Sequence, residues 1–379
     1  MIYKIYGNQS SQTENISEIP STFNFVLSQN QRPSNFRDLL FAENCFSFIQ
    51  KRDSEETDLT QSVVDTVDNK VLQSLEQSRC IKILMILWQG ETDAERGFLD
   101  TLKAMGYLVT PTIIDVDRDL KRLRQTLHFE INFEDYDYIY TFGTRVSLVV
   151  NEYVNNKVPI IFNAVGYPAK SGLVNDDPGR NINDGGNFSG VGTAAPMTIQ
   201  LGNIQKIFKM QRLAFLVNPQ EQNSLYTSDM IEDTTSQFGI TSKHFNATNK
   251  EEIFLALAKI KSASSPFDAL YVPSGSPFTE NSKAIFDFGC AEKIAMICEK
   301  EDMICAGALM GTVAKCKEGG QLAAKIVDMN HRYRIAMAHI PIQYPKFYCI
   351  VNRETAEVFG VKPNPQKINF QWTNTQASF

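Results

Sequence analysis

From Ile81 onward, apolar and polar positions fall into blocks of two kinds. Short apolar runs, "IKILMILW", "LVTPTIID", "YDYIYTF" and "VPIIFNAV", read as strands bounded by polar turns. Between them lie stretches with helical period, such as "TDAERGFLDTLKAMG". There Ala94, Phe98, Leu102 and Met105 share one face, and Gly106 supplies a C-terminal stop. After a Gly- and Asn-rich stretch at 181–192 the rhythm restarts. Strands are predicted at "RLAFLV", "SKHFN", "DALYVP" and "AMIC", with helices near 224–237, 250–261 and 281–292. Two series of alternating strands and helices predict two α/β lobes, each a doubly wound parallel sheet covered on both faces.

Residues 1–78 do not follow this pattern. They are rich in Asn, Gln, Ser and Glu and lack the alternation. Amphipathic helical stretches are predicted at 35–51 and at 58–77, the second with Val64, Val67, Val71 and Leu75 on one stripe. This reads as a mostly helical or irregular N-terminal arm, dispensable for the fold of the body. Its stripe would dock on that body or, by self-association, on a second copy of the chain.

In open parallel sheets, ligands bind outside the carboxyl ends of the strands. The loops at those ends therefore hold the candidate ligand-binding residues. They are Trp88 and Gln89, Gly143 and Thr144, Gly166 and Tyr167, Asn223 and Ser224, Ser274 and Ser276, and Glu299. Several of these loops lead into helices whose first backbone N–H groups lack intrahelical partners. In "NPQEQNS" (218–224), Pro219 stops the strand, and Asn223 or Ser224 reads as the cap of the next helix. Trp88 is either a core residue or a stacking wall for a flat ligand. Tyr167, between Gly166 and Pro168, reads as facing the cleft.

The 379 residues suffice for two domains, and 43% hydrophobic content is enough for a sizeable core. The net charge is −6. The basic block Arg118-Asp119-Leu120-Lys121-Arg122-Leu123-Arg124 mixes signs at helical spacing, so it reads as a solvated helix face. Nucleic acid is thereby excluded as a partner. Seven scattered cysteines form no CxxC pair and four dispersed histidines no HExxH, so neither a metal nor a cofactor is expected. The longest apolar run, 81–88, is strand-sized, well short of the ~18 residues of a membrane span. The start, "MIYKIYGNQSSQTENISEIP", lacks the features of a signal peptide, which taken alone places the chain in the cytoplasm.

Three local patterns have plainer readings. Gly190-Val191-Gly192-Thr193-Ala194-Ala195 mimics a dinucleotide fingerprint but follows "GGNFS" rather than a strong strand, so a hinge crossing is expected. Cys298 would suit the nucleophile of a two-domain racemase, yet no strand end of the first lobe carries a partner cysteine; it reads as a small buried hydrophobe. Glu91, Asp93 and Glu95 enrich a helix's first turn and complement its dipole.

Six segments, "VPIIFNAVGYPAKSGLV", "GGNFSGVGT", "LAFLVNPQEQNS", "FDALYVPSGSP", "GALMG" and "VNRETAEVFGVKP", occur in an order and spacing that resemble a known family. They resemble the type I substrate-binding proteins of ABC transporters, in the branch of tryptophan- and other aromatic-amino-acid-binding lipoproteins. The likeness runs over about 81–363. It implies a type I periplasmic-binding-protein clamshell with three hinge crossings and ligand between the lobes. Lobe one would comprise 81–190 plus 312–340, lobe two 191–311 plus 341–363, and 364–379 a tail. It further implies a non-enzymatic receptor for a small molecule, aromatic or carboxylate-bearing, with an ABC permease as partner and an extracytoplasmic location. Thr144 matches the family's threonine at a helix N-terminus. Tyr167 stands where the family commonly has an acid, another acid is missing near Gly275, and the Ser-Glu pair expected at 299–300 reads Glu299-Lys300. Those departures argue against a standard amino acid as ligand. The alternatives are a cytoplasmic or sensor-linked receptor of the same fold and, third, a racemase- or decarboxylase-like enzyme.

Overall fold

The computed structural model describes residues 79–174 and 186–375. The readings of residues 1–78, the stripe of Val64, Val67, Val71 and Leu75 included, lie outside the described residues.

β1 (Cys80–Leu87) shows how the parallel strands are covered on both faces. Ile81, Ile83, Met85 and Leu87 enter one hydrophobic cluster, Leu84 and Ile86 the opposite one, and all are essentially inaccessible. A strand buried on both sides must be apolar at nearly every position. β1 pairs in parallel with β2 (Leu108–Asp115) and β3 (Tyr138–Phe142). With β4 (Ile160–Val165) and β5 (Phe188–Gly192) they form a five-stranded sheet of order β2-β1-β3-β4-β5. Helices α1 (Asp93–Ala104), α2 (Leu120–Phe129) and α3 (Thr144–Val154) make the crossovers. α1 opens with a capping box: Thr92 Oγ1 accepts from Ala94 N, and Glu95 Oε2 reaches back to Thr92 N at 2.7 Å.

After β5 the chain crosses to the second lobe. It continues through α4 (Met197–Ile207), β6 (Arg212–Val217), α5 (Gln222–Thr235), β7 (Thr241–Asn246), α6 (Lys250–Lys261) and β8 (Ala269–Val272). Short α7 (Ser276–Glu280), α8 (Ser282–Glu292), β9 (Ala295–Cys298), α9 (Glu301–Cys305) and β10 (Met310–Ala314) follow. It then returns to the first lobe as α10 (Cys316–His331) and crosses back into β11 (Phe347–Asn352) and α11 (Arg353–Val358). The second sheet has seven strands, of order β12-β11-β10-β9-β8-β6-β7. β6 to β10 are parallel as expected, but β11 pairs antiparallel with β10, because the chain re-enters this lobe from α10 at the opposite end of the sheet. Its outermost member, β12 (Gln371–Thr373), pairs in parallel with β11 and lies within residues that read as a tail. Asn352 Nδ2 fastens this end by donating to Thr375 Oγ1 at 3.1 Å.

α10 lies tightly on α1. A Cβ on Gly320 would sit 1.9 Å from Ala94 O, and one on Gly97 2.6 Å from Lys317 O, so both positions need glycine for backbone to meet backbone. Ala323, Ala324, Ile326 and Val327 of α10 complete the cluster containing Ile83, Met85, Tyr140 and Ile161. Burying Ile326 and Val327 contributes about 1.5–3 kcal/mol each, and each alanine methyl about 0.8 kcal/mol.

The chain passes between the lobes three times, around 193–196, 314–316 and 341–346. Two passages are stitched together: Gln343 N donates to Gly190 O at 3.0 Å and Gly192 N to Gln343 O at 2.9 Å. The sequence "GVGTAA" forms the end of β5 and the first passage. Its glycines admit Phe162 and the Tyr344 ring, which a Cβ would meet at 2.2 and 2.4 Å.

Candidate functional site

The carboxyl ends of both sheets face one cleft, and the loops there meet directly. From lobe one, β3 runs into Gly143, whose φ of 96° favours glycine, and then into α3. This turn buries Thr144 at the first helical position, 5% exposed. Asn223, from the start of α5 in lobe two, donates through Nδ2 to Thr144 Oγ1 at 3.1 Å. Its carboxamide lies against Gly166, where a Cβ would stand 3.7 Å from the amide atoms. Arg145 donates through Nη2 to Gln220 O at 2.8 Å, with its guanidinium 5.9 Å from the half-buried Trp88 ring.

Towards the hinge, Tyr167 Oη and Thr227 Oγ1 share a hydrogen bond of 3.0 Å. Tyr226 donates to Lys170 O at 2.5 Å and packs edge-on to Tyr167. Burial, reinforced by the charge of Glu299, pushes the Tyr167 hydroxyl well above its ordinary pKa. Beside it opens a groove of about 320 Å³ lined by Tyr167, Pro168, Pro196, Met230, Tyr344 and Phe347. At the far rim, Arg118 Nη1 reaches Glu280 Oε1 at 2.6 Å. The lobes are thus closed on one another.

Each predicted residue has a definite place. Thr144, Gly166, Tyr167 and Asn223 are brought together across the cleft, with Trp88, Gln89 and Gly143 along the edge of lobe one. Glu299 is held by its own lobe: Oε1 accepts from Ser274 N at 2.9 Å and Ser274 Oγ at 2.6 Å, while Oε2 lies 3.1 Å from Tyr271 Oη. Ser276 opens α7.

Ser224 and Asn223 are not helix caps. α5 begins earlier, at Gln222, with Glu221 in the cap position and no side-chain cap bond. The reason is a turn that draws the helix start back. Glu221 N donates to Asn218 O, Gln220 N to Asn218 Oδ1, and Asn218 N to the buried Ser224 Oγ at 2.8 Å. Ser224 therefore braces the loop, and Asn223 is free to cross the cleft. Arg118 likewise precedes α2, whose cap is Asp119; Lys121, Arg122 and Arg124 are exposed along that helix.

Other residues near the cleft have roles beyond what the sequence pattern indicates. Glu95 does more than complement a dipole. Fully buried, it accepts from Tyr140 Oη at 2.8 Å, and Asn163 Nδ2 donates to the same hydroxyl at 3.0 Å. Asn163 Oδ1 in turn accepts from Ala164 N at 2.8 Å, holding Ala164 at a φ of 56° immediately before the Gly166-Tyr167 loop. The partners Thr227, Tyr226 and Glu280 are unremarkable polar positions in the sequence. Cys298 is fully buried, with its thiol pushed far up by burial, which does not suit a nucleophile. Among the described residues no group of three or more His, Cys, Asp or Glu is placed to hold a metal ion.

No curated protein matches this sequence. Solved structures do. The ABC domain from Streptococcus pneumonia in complex with L-Trp has 17% identity and a TM-score of 0.63, covering 75% of this chain and 97% of its own. A conserved domain protein from Vibrio cholerae has 17% identity and a TM-score of 0.65, with 78% and 99% covered. A substrate binding protein with adhesive properties from Clostridium difficile, in a ligand-free, open form, has 18% identity and a TM-score of 0.61, with 78% and 100% covered. At such identities the likeness is one of fold, the two-lobed type I periplasmic-binding-protein architecture. The family described as ABC transporter substrate binding protein matches residues 81–366, most of the chain, and this protein belongs to it.

Proposed function

We propose that the protein captures a small solute between its lobes by hinge closure and delivers it to an ABC permease. The observation that carries this reading is the meeting of Thr144 and Asn223 across the cleft, 79 residues apart in sequence. Groups from opposite lobes share one point in the closed form, so a solute held there would gain contacts from both only on closure.

The surroundings favour an aromatic or carboxylate-bearing molecule. Thr144 stands at the N-terminus of α3, where the helix dipole and unpaired backbone N–H groups suit negative charge. Trp88, Tyr167 and Tyr226 supply aromatic surface nearby. The L-Trp bound by the Streptococcus pneumonia protein agrees with that class. Glu299, already accepting from Ser274, is less well placed to hold an ammonium group. A binding role agrees with the family, and Cys298, a buried thiol, is not placed to act as a nucleophile. Export of the chain and self-association through residues 1–78 belong to the same reading.

Native mass spectrometry of gently purified protein tests it. A co-purifying small molecule, released on denaturation and weakened by Thr144→Val, is expected. A solute that binds undiminished to both Thr144→Val and Tyr167→Ala would move the site out of the cleft.

A further inference from the structure

We infer that Arg118 and Glu280 form an electrostatic latch that holds the cleft shut, making closure salt-sensitive and slowing release of whatever the cleft contains. The inference rests on the closure reading above.

The turn carrying Arg118 is unusual. Asp119 N donates to Val116 O at 2.9 Å, closing a four-residue turn whose central residues, Asp117 and Arg118, have φ of 49° and 62°. Two successive positive φ values mark the mirror-image turn that ordinarily takes Asn-Gly. Neither residue here is glycine, and such strain persists only where the surroundings enforce it. They do so in three places. Asp115 Oδ1 accepts from Asp117 N at 2.9 Å, Asp115 Oδ2 from Gly90 N at 2.9 Å, and Arg118 N donates to Trp88 O at 2.8 Å. The turn is tied on both sides to the end of β1.

The side chain is aimed as firmly as the backbone. Arg118 Nε donates to Gln89 Oε1, leaving Nη1 to cross the cleft to Glu280 Oε1 on α7. A planar guanidinium fixed at one edge presents the other in a set direction. The contacts at Thr144–Asn223, Tyr167–Thr227 and Tyr226–Lys170 join neutral groups, and Arg145 reaches the neutral Gln220 carbonyl, so none of these is an ion pair and each responds less to ionic strength. Arg118–Glu280 is charged, and its side chains are 41% and 57% exposed, so salt reaches it. Exposed pairs are individually weak, and losing this one should shift the closed–open balance by about two- to fivefold.

The test uses the full chain with Trp372→Phe, which leaves Trp88, beside the latch turn, as the one tryptophan of the two in the sequence. Acrylamide quenching of Trp88 in solute-free protein reports opening, and a Gly166→Cys, Asn223→Cys variant, oxidised, sets the closed baseline. In the parent, quenching should rise between low salt and about 0.5 M NaCl, where charges are screened within a few ångströms. Glu280→Gln should start at the raised level and stay flat. Exchanging the charges, Arg118→Glu with Glu280→Arg, should restore part of the salt response. If Glu280→Gln quenches like the parent at every salt concentration while both differ from the cross-linked form, the lobes move but the latch is refuted. If parent and cross-linked form are indistinguishable throughout, the cleft does not open, and the closure reading fails together with the latch.

Discussion

Asn223 and Thr144 satisfy one another across the cleft, Nδ2 to Oγ1 at 3.1 Å, although they lie in the first turns of different helices in different lobes. The pairing makes Asn223 a cleft residue rather than a cap, and the two roles have different consequences. Asn223→Ala loses no cap bond, so its melting temperature should fall no further than that of Thr144→Val, which breaks the same pair, while solute binding weakens. A loss about 1 kcal/mol beyond that of Thr144→Val, as for a missing cap, would restore the capping role.

Thr144→Val keeps the shape of a side chain that is 5% exposed and removes its hydroxyl. A buried group left without its partner costs about 1–3 kcal/mol, so calorimetry with the co-purified solute should show affinity falling about ten- to a hundredfold. Tyr167→Phe keeps the ring and removes one hydroxyl, whose partner Thr227 lies in the other lobe, and should have the smaller effect.

Ser224→Ala should act on stability. Its hydroxyl is the acceptor for Asn218 N, and both residues are buried. Urea unfolding should show a loss of about 1–3 kcal/mol, the penalty of an orphaned buried amide. A variant as stable as the parent would mean that the loop finds another acceptor.

Much of this architecture was legible in the residue pattern, for a physical reason. Strands buried on both faces must be apolar throughout, so "RLAFLV" and "AMIC" coincide with β6 and β9, and the helix at 250–261 with α6. "LVTPTIID" coincides with β2, a largely exposed edge strand, through its β-branched residues rather than through burial. The three residues of β12, largely exposed at a sheet edge, carry no such signature. Within the cleft, the strand-end rule collects the right loops but cannot say which residues meet. The pairs Tyr167–Thr227 and Arg118–Glu280 depend on how far the lobes close, which no local pattern encodes. The misplaced cap has a simpler cause: a serine near a helix start serves equally well to accept from its own helix or, as Ser224 does, from Asn218.

Tyr140→Phe tests the buried relay behind the cleft. It takes a donor from the Glu95 carboxylate and an acceptor from Asn163, and hydrogen bonds to charged groups contribute about 1.5–3 kcal/mol. Unfolding measurements should show a loss in that range. Affinity should fall as well, because Asn163 holds Ala164 in its left-handed conformation just before Gly166. Lost stability with unchanged affinity would confine the relay to the core.

The thiols give a test against pH. Burial pushes Cys349 up to about 12 and Cys298 further. Folded pKa values above the unfolded one contribute stability that is complete below about pH 8.5 and is lost as pH rises through the folded values, because the unfolded thiols ionise first. Melting temperatures should therefore decline above about pH 8.5. At about pH 8, alkylation followed by peptide mass analysis should mark exposed Cys80 well before Cys298 or Cys349. Early marking of Cys298 would contradict its burial.

The late return of α10 has a consequence for how the protein is made. The first lobe is not one stretch of chain. The face formed by Ile83, Met85, Tyr140 and Ile161 stays without Ala323, Ala324, Ile326 and Val327 until five of the second sheet's seven strands, β6 to β10, have been translated. A nascent chain halted short of His331 would therefore carry a finished strand order with one side open to water. Such a surface adheres to other chains. Each molecule must cross that exposed stage during synthesis, and the glycine-tight seating of α10 on α1 is what ends it.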